Sequence, residues 1–425
     1  MKDKKLQSTI QTLSNKIIEA QKEIRILDAI KWDAEIAHDF FAKNCQVLPK
    51  INAEYYQQHT PLLFNPELKL NEFYDIESQI KQKIGSINPV GKIMIHMCQE
   101  YREVIHMLMA RGTPQFSQIS QTLYGTSTEA FYANGPTIHD LAILMNQYAS
   151  NLILQTQNVK DEKKYDAQYA CNYLNQQIQS YFKDHKNLIS VDISDTLVSD
   201  AAAGADKIRV RKDAIFSERD LRMLEVHEGW VHLGTTLNGS LQETCTFLSK
   251  GTPSTIVTQE GLAVLMEILT LSSFPERVER IISRIDAIHM AEQGANFIEI
   301  FNTLHAQGLT KDQAYSRAVR VFRGSTPDGK PFTKDLAYNK GFVLLYNFIR
   351  IAIKQNKLHL IPLLFVGKIR LEDIHHIDAL HAEGIIQAPH YVPYPLNDMA
   401  ALSCWLCYSL FMNKLDLNKM ESDFN

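Results

Sequence analysis

The chain has 425 residues, of which 45% are hydrophobic and 22% charged, with 44 Lys and Arg against 48 Asp and Glu. This composition suits a large soluble protein with ample core, in one elaborate domain or two closely packed ones. The net charge of -4 gives no basic excess for a nucleic-acid partner and no acidic block for a solvated tail. Only 18 Gly and 14 Pro favour long helices over a many-turned β architecture.

Three features bear on the compartment of the protein. The first nine residues carry lysines but no following apolar segment, so we expect no secretory signal. The apolar run 399–412 is shorter than the roughly 20 residues that span a bilayer, and we interpret it as a buried C-terminal helix. Six scattered cysteines favour a reducing, cytoplasmic compartment. Cys404 and Cys407 form a C-x-x-C pair among apolar neighbours, where we expect core packing rather than metal or redox chemistry.

The first 160 residues are predicted to form an N-terminal helical region. Apolar residues recur at steps of three and four from Leu6 to Leu27, which predicts an amphipathic helix. The polar run 155–164 is the predicted boundary, which divides the chain into a helical region over 1–160 and a catalytic domain over 161–425. Further helices of the first region are predicted over 32–41, 73–84, 90–110 and 138–154.

The second region is predicted to begin with a helix over 165–182, and strand signals follow it. Residues 189–193 and 208–210 alternate apolar and polar side chains, as half-buried strands do. Between them, 201–205 predicts a tight turn or a close backbone approach. Ser217 is predicted to cap a helix that ends near Gly239. We therefore predict a predominantly helical α+β fold with a small sheet next to this helix. Later helices are predicted over 259–271, 275–290, 294–305, 311–322 and 333–354.

The helix after Ser217 carries His227, then Glu228, and His232 five positions after His227. Zinc hydrolases use such imidazoles to hold the metal, and such a carboxylate to take a proton from its water. On a straight α-helix, a spacing of five leaves the two rings about 140° apart. A wider turn of the π type would bring them to the same side, and Gly229 would tolerate it. We therefore predict a widened turn at residues 229–231.

A third ligand is predicted on the following helix, which Thr258 is expected to cap. Glu260 would lie in its first turn and complete a set of two histidines and one glutamate, with one position open for water. Glu267, two turns later on the same side, could be the ligand instead or could orient an imidazole. Glu243 is a further candidate. Alternatively, the histidines are ordinary residues of an amphipathic helix, and Glu260 is a charge favoured at a helix N-terminus.

Several blocks of the sequence resemble one known family over roughly 21–396. Residues 259–263 read Gln-Glu-Gly-Leu-Ala, the signature of the QEGLA-motif family, often labelled as flavohemoglobin expression-modulating. Residues 227–233, followed by Asn238 and Gly239, resemble the H-E-x-x-x-H helix of that family. Further blocks that resemble the family are 322–324, 332–338 and 388–393.

The family includes the microtubule-associated tyrosine carboxypeptidases, which remove the C-terminal tyrosine of α-tubulin. The resemblance implies a zinc metallopeptidase with a zincin-like domain, in which His227, His232 and Glu260 bind Zn²⁺ and Glu228 is the catalytic base. All four positions match the family pattern. The implied substrate is a peptide or protein C-terminus, with no nucleic-acid partner and no membrane span. No residue pattern ties the chain to tubulin, and the oligomeric state is left open.

The chemistry of an exopeptidase requires further side chains. A donor must stabilise the tetrahedral oxyanion, and Tyr338 is our candidate. A cation must bind the terminal carboxylate of the substrate, and the candidates are Arg323, Arg320 and Lys334 in that order. The alternative for each cation is a solvated side chain or a surface ion pair. The 208–210 strand would pair with an extended peptide if it formed an exposed sheet edge, but not as an interior strand.

Three functions are compatible with these patterns. The first is a zinc-dependent carboxypeptidase. The second is a regulatory or binding protein with a structural metal site, and the third is a zinc amidohydrolase acting on a small non-peptide substrate. Glu228 favours catalysis, because a structural site needs no base and would usually close with a fourth protein ligand.

Overall fold

The computed structural model describes residues 2–156, 161–195, 197, 199–204 and 206–421. These residues form a predominantly helical fold with one three-stranded sheet. This is the helical α+β class predicted from the sequence.

The helices predicted over 32–41, 90–110 and 138–154 lie within two residues of their predicted positions, whereas the helix predicted over 73–84 begins seven residues earlier, at Pro66. Caps and prolines explain where two of these helices begin. Asn65 and Asn88 accept hydrogen bonds from the N–H groups of Leu68 and Val90, and a proline follows each of these caps. The apolar stripe that predicted one helix to residue 27 is divided between two. The helices are α1 (Lys2–Gln21), α2 (Ile26–Ala29), α3 (Ala34–Ala42), α4 (Ala53–His59), α5 (Pro66–Lys83), α6 (Pro89–Met109), α7 (Pro114–Tyr124) and α8 (Ile138–Thr156).

The rest of the described chain is also mainly helical. A π-helix over Glu225–Leu233 joins α10 to α11, and a 3₁₀ turn over Thr333–Leu336 precedes α16. Further 3₁₀ turns are Lys183–Leu188, Thr246–Ser249 and Leu371–Asp373. The helices are α9 (Ala167–Tyr181), α10 (Glu218–Leu224), α11 (Gly234–Ser240), α12 (Pro253–Leu269), α13 (Pro275–Glu292), α14 (Phe297–Ala306), α15 (Lys311–Phe322), α16 (Ala337–Lys354), α17 (Leu360–Leu363), α18 (Ile374–Ala382), α19 (Tyr394–Asn397), α20 (Met399–Met412) and α21 (Leu417–Glu421).

The sheet has the strand order β1-β3-β2, with β1 at Ser190–Ser194, β2 at Ala201–Ala203 and β3 at Lys207–Arg211. β1 runs parallel to β3, and β2 runs antiparallel to it. The turn predicted over 201–205 is therefore wrong for its first three residues, which form an edge strand, while Ala205 lies outside the described residues. β3 is hydrogen-bonded on both sides, so the predicted pairing of this strand with a peptide is also wrong. β3 is the interior strand of this sheet, which was the alternative interpretation of residues 208–210.

The largest hydrophobic core takes residues from both sides of the predicted boundary. Ile10 and Ile105 of the N-terminal region are buried in it together with Leu262, Leu345 and Leu380. Residues 157–160 of the boundary segment lie outside the described residues, and the division into two regions stays a prediction.

A second core lies under the sheet and supports the π-helix. Leu174 and Ile178 of α9 pack in it with Ile208 of β3 and with Leu233 at the end of the π-helix. This core therefore joins the sheet, α9 and the π-helix into one layered unit. The sheet lies next to the helix that follows Ser217, as predicted.

The contact of α12 with α16 brings the two helices very close. A Cβ atom on Gly261 would overlap the backbone of Gly341, and a Cβ atom on Gly341 would overlap that of Val257. Only glycine fits at these two positions because the backbones approach so closely. This crossing places the start of α16 beside the middle of α12.

The prediction that Thr258 caps a helix is wrong. α12 begins six residues before the predicted start at 259, at Pro253, and the backbone N–H of Thr252 donates a hydrogen bond of 2.9 Å to Oγ1 of Thr255. Thr258 lies inside the helix, where its hydroxyl accepts a hydrogen bond from the N–H of Leu371 at 3.0 Å. Glu260 therefore lies in the interior of the helix and not in its first turn, which removes the alternative that it is a helix N-terminal charge.

α20 has its predicted bounds but not its predicted burial. Leu402 and Leu406 are buried along one stripe, whereas Tyr408 on the opposite side is 71% exposed. Cys404 and Cys407 are exposed, so their predicted core packing is wrong. The helix lies on the surface, and its lack of charged residues gave no sign of which side faces water. In the described parts of the chain, no helix has both the length and the apolar character needed to cross a membrane.

Candidate metal centre and active site

The predicted widening of the helix at 229–231 is confirmed, and it extends over Glu225–Leu233 as a π-helix. The wider turn brings His227 and His232 to one side, with their ring centroids 4.7 Å apart. Gly229 faces α9, where an added Cβ atom would lie 3.2 Å from the side chain of Ile178. Glycine at this position therefore serves close packing as well as the wider turn.

His227, His232 and Glu260 meet in a buried cluster. The Oε2 atom of Glu260 lies 3.4 Å from Nε2 of His227 and 3.6 Å from Nε2 of His232. Among the described residues, this is the one group of three or more His, Cys, Asp or Glu side chains whose ligand atoms all lie within 4.8 Å of one another. Tetrahedral Zn²⁺ ligands at their usual bond lengths are about 3.3 Å apart, so the spacing fits such an ion.

A second observation supports the fit to a metal ion. Oε2 of Glu260 is buried and has no hydrogen-bond partner within the described residues. A buried, unsatisfied carboxylate oxygen costs free energy unless a cation or a donor meets it. A divalent ion between this oxygen and the two Nε2 atoms would meet it.

The electrostatics of the cluster attract positive charge. Burial raises the pKa of Glu260, but Lys334 and the two histidines outweigh burial and hold it well below its usual value. Nζ of Lys334 lies 3.6 Å from Oε1 of Glu260. Burial lowers the pKa of His227, but the neighbouring carboxylates of Glu260 and Glu267 raise it to about 9. The same anions would attract a metal ion.

Glu267 orients an imidazole and does not face the centre of the cluster. Its Oε1 lies 2.7 Å from Nδ1 of His227, and its carboxylate accepts hydrogen bonds from Nε and Nη2 of Arg277 at 3.1 and 2.9 Å. Burial raises the pKa of Glu267, but Arg277 and His227 lower it to about 2. An ionised Glu267 fixes the proton of His227 on Nδ1 and leaves Nε2 free to bind a metal. Glu243, the other candidate, is exposed and lies outside the cluster.

Glu228 is held at the edge of the sheet. It is buried, and its Oε2 accepts a hydrogen bond of 2.7 Å from the backbone N–H of Ala203 on β2. The charge of Glu228 also raises the pKa of His227. The carboxylate predicted as the base thus lies close to His227. No sequence pattern indicated the part played by β2, because Ala-Ala-Ala carries neither a strand pattern nor a polar side chain.

Tyr338 lies against the same cluster. Its ring stacks on that of His227, with centroids 6.2 Å apart and an interplanar angle of 20°. Burial, together with the negative charge of Glu260, raises its pKa above the usual value for a phenol. The hydroxyl therefore stays protonated at neutral pH and can donate a hydrogen bond.

The predicted carboxylate-binding cations differ in their surroundings. Nε and Nη2 of Arg320 donate to the two oxygens of Asp335 at 2.8 and 3.0 Å, so this fork is engaged. Arg323 is buried over the ring of Phe332, and its Nε has no partner among the described residues. Lys334 contacts Glu260, as described above.

Two further residues near the site, Arg284 and Lys368, were not among those predicted from the sequence. The guanidinium carbon of Arg284 lies 4.9 Å from the centroid of the Tyr338 ring. The repeat of arginines at 277, 280 and 284 could have indicated a charged face on one helix. Nζ of Lys368 lies 3.5 Å from the carbonyl oxygen of His232, and burial lowers its pKa to about 8. No pattern in the sequence points to Lys368.

The fold and the site together define a predominantly helical α+β protein with a buried His-His-Glu cluster that can hold a metal ion. The family model for the microtubule-associated tyrosine carboxypeptidases matches residues 38–414, and the chain belongs to that family. The resemblance to these carboxypeptidases is confirmed, whereas the QEGLA-motif label stays a prediction.

No curated protein shows significant similarity to the chain. Among solved structures, a similar chain is described as "The crystal structure of the putative lipoprotein from Colwellia psychrerythraea". It is 12% identical with a TM-score of 0.44, and the match covers 74% of the present chain. The present chain spans 66% of the length of that chain.

Proposed function

We propose that the chain is a zinc-dependent carboxypeptidase, of the tyrosine-carboxypeptidase type, that acts on the C-terminus of a peptide or protein. One observation carries the proposal: Oε2 of Glu260 is buried, has no hydrogen-bond partner among the described residues, and faces Nε2 of both His227 and His232. Family membership over residues 38–414 supports the reaction class.

The three facing atoms would hold the metal ion, with Glu267 fixing the tautomer of His227. Zn²⁺ bound there would act as a Lewis acid and lower the pKa of a bound water to about 7. Within the described residues the cluster offers three protein ligands, which leaves a position for water or substrate. A structural site would usually have a fourth protein ligand, so this count favours catalysis over a regulatory role.

Glu228 is proposed as the group that moves the proton. Its Oε2 is fixed by the N–H of Ala203, which leaves Oε1 to accept a proton from the attacking water. The same carboxyl group would then give this proton to the nitrogen of the leaving amino acid. The hydrogen bond from the sheet edge restricts rotation of the side chain and so keeps it close to the reacting atoms.

Tyr338 is proposed as the donor to the tetrahedral oxyanion. Its ring lies flat against His227, so its position is fixed relative to one of the three proposed ligands. Its raised pKa keeps the O–H proton available at neutral pH. A preorganised donor of this kind acts mainly in the transition state, where negative charge develops on the carbonyl oxygen.

Replacing Glu228 with glutamine tests the proposal. We expect the zinc-loaded Glu228→Gln variant to lose hydrolysis of peptide libraries by about 10²- to 10⁴-fold, because glutamine cannot accept the proton. Mass spectrometry of the products measures the loss, and metal analysis should find unchanged zinc. Glu225→Gln is the matched control, since Glu225 lies on the same π-helix but bonds to Tyr173.

Other outcomes would favour other functions. A zinc-loaded chain that cleaves no peptide in a Glu228-dependent way would favour the regulatory protein with a structural site. Glu228-dependent cleavage restricted to non-peptide amides would favour the small-molecule amidohydrolase.

A further inference from the structure

We infer that Arg284 and Arg323 form the receptor for the terminal carboxylate of the substrate, beside Tyr338. This inference rests on the proposed carboxypeptidase function and names the part of the site that selects a free C-terminus. Two kinds of observation support it: unpaired donors and an excess of positive charge.

Both arginines have buried N–H groups without acceptors. Arg323 is 5% exposed, and its Nε has no hydrogen-bond partner among the described residues. Nη1 of Arg284 is likewise buried without a partner, and its Nε is 3.8 Å from Asp335, beyond hydrogen-bonding distance. Buried donors are nearly always satisfied in proteins, so these two indicate an acceptor that the chain itself does not supply.

The charges around the two arginines do not balance. Arg284, Arg320 and Arg323 lie near one another, and in the described part of the chain the ion pairs of this group all involve Asp335. Both oxygens of Asp335 are already bonded to Arg320. Two positive charges therefore remain uncompensated. Burial and the neighbouring guanidinium groups lower the pKa of Arg284 and of Arg323 to about 10. A bound anion would compensate the excess positive charge and reduce the repulsion between the guanidinium groups.

The position of this group suits a terminal carboxylate in particular. Arg284 lies over the ring of Tyr338, and that ring stacks on His227. In a peptide, three bonds with a summed length of about 4.3 Å separate the scissile carbonyl carbon from the terminal carboxyl carbon. A carboxylate held by Arg284 would therefore place the scissile bond next to Tyr338 and His227. Guanidinium groups also match the geometry of a carboxylate better than Lys334 does.

The other two predicted cations are less suited to this role. The fork of Arg320 is occupied by Asp335, so it could bind a substrate only by giving up two hydrogen bonds. Nζ of Lys334 is attracted to Glu260 at 3.6 Å and belongs to the metal side of the site. The receptor therefore consists of Arg284 and Arg323. Only Arg323 was predicted from the sequence.

The test measures binding without turnover, in the zinc-loaded Glu228→Gln background. The probe is a short dansylated peptide ending in tyrosine, prepared as the free acid and as the C-terminal amide, with dissociation constants from fluorescence anisotropy. We expect the acid to bind at least about tenfold more tightly than the amide, because it gains charge-assisted hydrogen bonds. The ratio should fall in Arg284→Met and in Arg323→Met, and approach one in the double variant.

Controls separate recognition from folding. Arg317→Met is the matched control, because Arg317 lies on α15 with its fork engaged by Glu279 at 2.8 and 3.1 Å, and it should keep the full ratio. If the methionine variants do not fold, Arg284→Lys and Arg323→Lys keep the charge but lose the fork, and should show a reduced ratio. Circular dichroism and zinc content verify each variant.

The inference would be overturned if the zinc-loaded Glu228→Gln chain, which is the reference chain, bound the acid and the amide equally. It would also be overturned if the double variant kept the full ratio of the two dissociation constants. Failure of the reference chain to bind the acid would overturn it as well. Failure of the proposed function is a different result: the unsubstituted zinc-loaded chain would cleave no peptide, whatever the acid-to-amide ratio.

Discussion

Two neighbouring regions, both in contact with Tyr338, leave different kinds of buried polar group without a partner among the described residues. On the metal side, the buried carboxylates of Glu228 and Glu260 lie near the two histidines, and Oε2 of Glu260 has no hydrogen-bond partner among the described residues. On the arginine side, defined by Arg284, Arg320, Arg323 and Asp335, cations exceed anions and two guanidinium groups keep unpaired N–H donors. In the described part of the chain, one region therefore leaves a carboxylate oxygen without a partner, and the other leaves N–H donors without acceptors.

A third group shows what a balanced buried pair looks like in the same protein. Glu267 and Arg277 are both buried, and two hydrogen bonds join them while the carboxylate also meets His227. Unpaired buried charges are costly, so an imbalance is tolerated where a ligand removes it. The contrast suggests that a metal ion and a substrate carboxylate complete the two regions.

Asp335→Asn should have the largest effect on stability. The substitution leaves three neighbouring guanidinium groups without their one carboxylate, so we expect the free energy of unfolding to fall by about 3–5 kcal/mol. Urea denaturation measures the change. Asp312→Asn, on the exposed first turn of α15, is the control and should change stability by less than about 1 kcal/mol. If Asp335→Asn lost no more free energy of unfolding than this control, the proposed role of Asp335 on the arginine side would be wrong.

The pH dependence of this effect follows from the pKa of Asp335. Burial raises that pKa, but Arg320 and Arg284 outweigh burial and lower it well below its ordinary value of 3.8. A lowered pKa gives stability that is present above the unfolded value and is lost as the pH falls through the folded value. The free energy of unfolding of Asp335→Asn should therefore lie below that of the unsubstituted chain by a constant amount from about pH 5 to 8. This difference should narrow only below about pH 4. A difference that narrows already near pH 6 would contradict this assignment.

Adding zinc should stabilise the metal side by the next largest amount. At a free concentration 100 times the dissociation constant, the free energy of unfolding should rise by about 2.7 kcal/mol. Thermal or urea unfolding of the metal-free chain with and without Zn²⁺ measures it. Mg²⁺, which prefers oxygen ligands in octahedral geometry, should give no comparable rise. An equal rise in Glu260→Gln would show that the ion binds elsewhere.

Glu267→Gln should have the smallest effect on the metal side. Loss of the carboxylate that orients His227 should weaken zinc binding about 10- to 100-fold, or about 1.4–2.8 kcal/mol. Isothermal titration with Zn²⁺ measures the affinity. The substitution also leaves Arg277 unpaired, so the double variant Glu267→Gln/Arg277→Met is the control. It should regain stability but not zinc affinity. Recovery of both would mean that Glu267 acts through packing rather than through His227.

The sequence predicted most of the helices and the local geometry around His227 because both depend on short-range periodicity. A spacing of five between two side chains that share one ligand requires a widened turn, and residues 225–233 form it. The sequence did not predict the start of α12, where Thr252 and Pro253 mark the boundary instead of Thr258. The edge strand at 201–203 also escaped prediction, since three alanines have no alternating pattern.

The partners of each side chain required the tertiary structure. Glu260 and Glu267 are two turns apart on one helix, and the sequence left open which of them faces the metal position. Their separation places one carboxylate at the Nε2 side of His227 and the other at its Nδ1 side. Arg284 and Arg323 lie on different elements, and the sequence contains no rule that brings them together.

The residues alone determined that two histidines lie on one helix with a carboxylate between them, because the helical backbone fixes the positions of side chains a few residues apart. The tertiary structure decided which charged groups from distant segments surround that helix. Gly261 and Gly341 allow α12 and α16 to touch, and this contact brings Tyr338 to the ring of His227. Such contacts depend on the packing of whole elements, which local sequence does not specify.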